Sequence, residues 1–119
     1  MKYMLMMFGD GATMMEQHSP EWVTEMIAFM GGFAAELEKS GELVEARGLA
    51  DPSTAKTVSL VDGQVVVTDG PYAEAKESLA GYWVFDVKDE ARVLELASQV
   101  VVWAERVEFR EVPDGPPEQ

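Results

Sequence analysis

No cysteine occurs in the 119 residues. That removes disulfide scaffolds, thiolate zinc sites, iron–sulfur clusters and thiol nucleophiles. The one histidine, His18, cannot furnish a multi-histidine metal centre within a single chain. Basic residues are scarce: nine Lys and Arg face 22 Asp and Glu, for a formal net charge of −13. Phosphate backbones and anionic membrane surfaces both repel such a chain, which argues against direct contact with nucleic acid or membrane. No stretch approaches the ~20 apolar residues of a membrane span. Neither a Gly-x-Gly-x-x-Gly run nor a Walker loop is present, so no nucleotide fingerprint and no cofactor is expected. Within the opening segment from Met1 to Phe8 the apolar run is only about six residues long before Gly9-Asp10-Gly11 stops it. It is shorter than the roughly 7–15 residues of a secretory core, so it reads as a buried strand in a cytoplasmic protein.

What is present suits one small domain. A 13.1 kDa chain that is 47% apolar can build a core unaided. After the first strand, a polar loop is expected from Gly9 to Ser19. Ser19-Pro20-Glu21 then reads as a helix start, with Ser as N-cap, Pro in the first turn and an acid near the positive end of the dipole. Trp22, Val23, Met26, Ile27, Met30, Phe33, Ala34 and Leu37 form one helical stripe that Gly41 closes. The pair Gly31-Gly32 is expected to pack closely on the sheet. A strand over about residues 42–49 follows. Two β-branched runs, 57–61 and 64–68, flank Asp62-Gly63, the strongest short-range hairpin signal. A short helix or loop over 73–77, a strand over 81–87, a helix from Asp89 to about Val100 and a last strand within 103–112 complete the chain. The Pro- and Gly-rich residues 113–119 read as a flexible tail to a domain of residues 1–112.

Without the hairpin this order is βαββαβ, an α+β arrangement of the ferredoxin-like kind with two helices on one face of an antiparallel sheet. Tyr82 and Val84 alternate with Trp83 and Phe85, so large apolar groups occupy both faces of one strand. A half-wet sheet would alternate apolar with polar. The second face therefore needs a cover, and a second copy of the chain is the economical one. A homodimer with sheet against sheet is expected.

The densest chemistry lies in Asp69-Gly70-Pro71-Tyr72-Ala73-Glu74-Ala75-Lys76-Glu77. As a small-molecule site, it offers Asp69 as a fixed carboxylate with Lys76 and Glu77 as a charge pair beside it. The same residues also suit a plain tight turn in which Asp69 bonds its own backbone. Glu45 and Arg47, two apart on one strand, point to one face, where Arg47 could hold a carboxylate or phosphate with Glu45 orienting it. Tyr82 could add a phenol to the same cleft. His18 is expected as an exposed loop residue.

With these residues in view, the chain resembles the YCII-related family, and within it a DGPF-type branch named for an Asp-Gly-Pro-Phe motif. Here that motif is Asp69-Gly70-Pro71-Tyr72, with Tyr72 in place of Phe. The flanking Ala73 to Glu77, Gly81-Tyr82, the opening Met1 to Leu5 with Gly9-Asp10, and the run from Gly41 through Leu49 to Val58 are similar as well. The resemblance spans about residues 1–112. It implies a ferredoxin-like fold that dimerises into an α/β barrel. In one branch of the family a histidine–aspartate pair in the cleft is the proposed active site; the resemblance carries the aspartate to Asp69 and supplies no histidine.

Three functions compete. The first is an enzyme performing cofactor-free acid–base chemistry on a small organic molecule in a dimer cleft. Asp69 would be its catalytic carboxylate, and Arg47, Glu45, Lys76, Glu77, Tyr82, Pro71 and Tyr72 would bind the ligand. The second is a non-catalytic ligand-binding or accessory module linked to sigma factors and transcription regulation, a context the resemblance implies. The third is a dimer in which the motif is only a conformational lock.

Overall fold

A computed structural model describes residues 1–72 and 77–116. The segment expected as a short helix or loop, and Lys76 with it, falls outside these apart from Glu77. The elements are β1 (Lys2–Phe8), α1 (Gly11–Gln17), α2 (Pro20–Ser40), β2 (Leu43–Gly48), a single 3-10 turn (Pro52–Thr54), β3 (Lys56–Val61), β4 (Gln64–Asp69), β5 (Leu79–Asp86), α3 (Glu90–Ala104) and β6 (Val107–Val112). The result is a mixed α+β fold with a four-stranded antiparallel sheet in the order β2-β5-β1-β6. That order is consistent with a ferredoxin-like fold. β3 and β4 form a separate two-stranded sheet.

The long helix α2 begins and ends where its side chains dictate. The Ser19 hydroxyl accepts from the Trp22 amide at 3.1 Å, satisfying one of the free N–H groups of the first turn. Gly41 takes φ 82°, a left-handed conformation that turns its N–H back on the Glu38 and Leu37 carbonyls. Asp89 caps α3 in the same way, its carboxylate accepting from the Arg92 amide at 3.0 Å. Between β3 and β4, Asp62 and Gly63 both have positive φ (50° and 79°), the conformation that a two-residue hairpin turn requires.

Alternation along the strands divides the main sheet into two faces. Tyr3, Leu5, Trp83 and Phe85 face α2 and α3, where Phe33, Leu37, Val93, Leu96 and Val100 complete the buried core. Met4, Met6, Tyr82 and Val84 occupy the opposite face, outside the core cluster, with Met6 only 8% exposed and the other three half-buried. Gly81 is fixed by contact: a Cβ there would lie 2.8 Å from the Arg47 carbonyl oxygen and 3.3 Å from Gly48 Cα.

Two expectations are corrected. The stretch 9–19 is not all loop, because α1 fills most of it; Asp10 caps that helix, accepting from the Thr13 amide at 3.4 Å. Gly31 and Gly32 are exposed, and nothing lies within 4 Å of a Cβ built on either. Close packing on the sheet does not explain them.

Candidate functional site

The end of the sheet where β1 and β2 finish and β5 begins opens into a cleft of about 1100 Å³. Its position follows from the ladder. Backbone pairing continues past the strand ends through Gly9 N–H to the Ser78 carbonyl (2.9 Å) and Leu49 N–H to the Ala80 carbonyl (2.8 Å). The β1–β5 register slips between Met7 and Phe8, an irregularity of the type that re-aims side chains near binding sites. α1, the first half of α2 and the end of α3 supply the other walls.

Most of the large apolar lining is methionine and tryptophan, Met7, Met14, Met26, Met30, Trp83 and Trp103, with Phe8 and Leu49 beside them. Flexible thioethers adapt to a ligand's shape, and indoles give it flat faces. A run of ring contacts holds the wall in place. His18 stacks on Trp22 with centroids 3.7 Å apart and planes at 11°, Trp22 meets Trp103 at 5.4 Å, and Phe29 meets Trp103 at 5.8 Å. The 4%-exposed Trp83 belongs to the same wall, and its Nε1–H finds no acceptor among the described residues.

Polar groups gather at the rim: Asp10, His18, Arg47, Asp51, Glu77, Tyr82 and Arg106. Amide and hydroxyl hydrogen bonds from Ser53 hold the Asp51 carboxyl below the usual carboxylate range, and a contact with the Asp10 carboxyl adds to this. Arg106 pairs with Glu77 at 2.7 Å and lies 5.8 Å over the Phe8 ring. Arg47 sits 3.7 Å from the Glu45 carboxylate, and Nη1 donates to its neighbour's carbonyl, Ala46 O, at 3.0 Å. Two-thirds of the Arg47 side chain is exposed, so much of its guanidinium still faces water.

The structure thus brings Arg47, Tyr82 and Glu77 to one cleft, with Glu45 behind Arg47. It places the motif elsewhere. Asp69 ends β4 and is 85% exposed in an ion pair with Lys56; it does not line the cleft. Gly70, at φ 94°, donates its N–H to the Ala55 carbonyl at 2.7 Å and accepts from the Thr57 hydroxyl at 2.9 Å. These bonds close the root of the hairpin. Pro71 and Tyr72 are exposed and outside the cleft. His18 corrects its expectation: it is half-buried, stacked and part of the cleft wall. Asp10, Trp103 and Arg106 were not anticipated. For Asp10, the signal available was an Asp three residues ahead of Thr13 at a helix start.

The sequence profile of the YCII-related domain matches residues 1–114. The chain belongs to the YCII-related family. A search of curated proteins finds no match. The function of the YCII-related domain is uncharacterised, so the cleft has to be read from its own chemistry. Among the described residues, no group of three or more His, Asp or Glu side chains is placed to hold a metal ion, and no helix is long and apolar enough to cross a membrane.

Proposed function

We propose that this YCII-related protein, of the DGPF-type branch, acts as a homodimer joined through its open sheet faces. The cleft binds a small organic anion with an apolar body and moves a proton on it without a cofactor. The observation that carries this reading is the make-up of the cleft. A deep Met/Trp wall meets a rim where a water-facing guanidinium, a phenol, an imidazole and carboxyls converge. Apolar pockets with a few convergent polar groups are the usual form of small-molecule sites. Arg47 suits a carboxylate in a planar, two-point grip, with Glu45 orienting it. Tyr82, His18 and Asp10 are the groups able to pass a proton. Asp69 serves as the lock of the hairpin root. The open cleft supports a binding role over a lock alone.

Titration with anilinonaphthalenesulfonate, an aromatic anion, followed by tryptophan fluorescence, tests the binding half. Arg47→Ala should weaken uptake about tenfold, the worth of one charge-assisted contact, and Asp69→Asn should leave it unchanged. Equal affinity in Arg47→Ala and the parent chain would refute the cleft assignment. For the catalytic half, solvent deuterium should enter small oxo acids beside the carbonyl in the presence of the protein and not with Asp10→Asn or His18→Ala. A panel that stays unlabelled sinks the enzyme and leaves the binding protein.

A further inference from the structure

The β3–β4 hairpin has one largely aliphatic face on which no other element packs among the described residues. Residues paired across the ladder share a face, so the register puts Val58 with Val67 and Leu60 with Val65 on one side, with the Lys56–Asp69 ion pair at its root. Thr57, Thr68, Ser59 and Gln64 lie on the other side, with Val61 and Val66. The four residues of the first face are exposed by 65%, 59%, 74% and 71%, in that pairing order. At these exposures they present on the order of 400 Å² of apolar surface, the size at which a patch on a monomer marks an interaction site. The hairpin packs on no other element to any extent comparable with its own pairing. Its projection shows in the dimensions. The radius of gyration is 16.7 Å, against about 13.5 Å for a compact domain of this length. A two-stranded hairpin alone in water is marginal, so one that holds four exposed aliphatic side chains together on a face gains from a partner surface.

We infer that the hairpin is a dimerisation arm whose Val58/Leu60/Val65/Val67 face lies on a second copy of this chain. The inference rests on the homodimer reading and adds a second contact to it. On the open face of the main sheet, Met6 is already only 8% exposed, and Met4, Tyr82 and Val84 are half-buried, so the arm offers the more exposed apolar surface. A stable interface needs roughly 800 Å² from each partner. The arm face supplies about half of that area. The two apolar surfaces belong to one chain yet do not meet within it. A two-fold axis allows each to be covered twice, since every contact in such an interface is made reciprocally. The arm springs from Leu49, Ala50, Asp51 and Pro52, all on the cleft rim, so seating it on the second subunit also fixes that rim.

Sedimentation equilibrium separates the two ideas. The parent chain should sediment at about twice 13.1 kDa. Leu60→Lys with Val65→Lys should raise the dimer dissociation constant about 100-fold or more, as loss of a central apolar cluster does. Lysine is the informative choice because each subunit carries −13; the added charge lessens mutual repulsion, so weakening must come from burying charge at the aliphatic face. Ser59→Lys with Gln64→Lys, on the opposite face, should stay within about threefold of the parent, as surface changes do. Leu60→Ala with Val65→Ala gives the same ordering if the lysine pair misfolds by circular dichroism. A dimer equally tolerant of both lysine pairs, or equally broken by both, overturns the arm and leaves the sheet-face dimer standing. A parent chain that stays monomeric at about 200 µM overturns both, because association is set by mass action.

Discussion

Glu42→Gln should destabilise the fold by about 2 kcal/mol at neutral pH and by progressively less as acid protonates the carboxylate. Glu42 follows the Gly41 cap of α2 and Arg92 lies in the first turn of α3, so their pairing ties the end of one core helix to the start of the other. The pair is two-pronged: Arg92 Nε to Oε2 at 2.8 Å and Nη2 to Oε1 at 2.9 Å. The Ser40 hydroxyl donates to Oε1 at 2.9 Å, and Glu95 takes Nη1 at 2.9 Å. Side-chain exposures of 20% for Glu42 and 31% for Arg92 place the pair between two limits. Exposed pairs contribute about 0.2–1 kcal/mol; breaking a buried one costs about 3–5 kcal/mol. A value near 2 kcal/mol follows from this intermediate burial.

The sign of the pH dependence is fixed by the same contacts. The Arg92 hydrogen bonds hold the Glu42 carboxyl below its ordinary range, burial partly opposing and Ser40 assisting. A carboxyl whose pKa falls on folding stabilises the native state fully above its unfolded value, about 4.3, and loses that contribution as pH falls through the native one. Urea melts of parent and Glu42→Gln at one protein concentration should therefore differ at pH 7 and converge toward pH 3. A gap that does not narrow between pH 7 and pH 3, or one below about 0.5 kcal/mol at pH 7, would refute the argument, since surface changes alone give that much.

Two further outcomes follow from backbone contacts. Gly81→Ala must push its Cβ against the Arg47 carbonyl oxygen, a backbone atom, so the strand pair at the cleft has to separate; overpacking of this kind costs about 1–3 kcal/mol and should lower Tm by several degrees. Gly48→Ala, across the same ladder with open space around it, should change Tm by less than about half as much; equal losses would show that the close approach is not what fixes Gly81. Ser19→Ala removes the acceptor for the Trp22 amide and should cost about 1 kcal/mol in the same melts, with no effect if water satisfies that amide equally well.

Much of the fold was legible because its signals are local. Ser19, Gly41, Asp89 and Asp62-Gly63 each mark a place where one residue settles the backbone, and each does so in the structure. The alternation of Trp83 and Phe85 with Tyr82 and Val84 separated the two faces of β5 without any coordinates. α1 escaped notice because seven residues are too few to show a stripe, and its cap, Asp10, resembles any acid in a polar loop. Gly31 and Gly32 were misjudged because the cost of glycine in a helix says that something tolerates it, and nothing about what.

The site was legible only in part, and the reason is distance. Arg47 and Tyr82 face each other across the β2–β5 ladder, so strand periodicity was enough to bring them together. The cleft wall is different: His18, between α1 and α2, and Trp103, on α3, lie 85 positions apart and meet through Trp22, and no pattern along the chain encodes that stack. The Asp-Gly-Pro-Tyr segment drew attention because carboxylates, glycine and proline cluster there. Such clusters serve sharp turns as readily as chemistry. At Gly70 a positive φ joins β4 to the chain that re-enters the sheet, and the bonds to Ala55 and Thr57 clamp the hairpin's two ends together. The residues between β2 and that clamp are the cleft rim itself. A motif with no atom in the cleft can therefore still shape it, through the direction it gives the arm and the loop beneath.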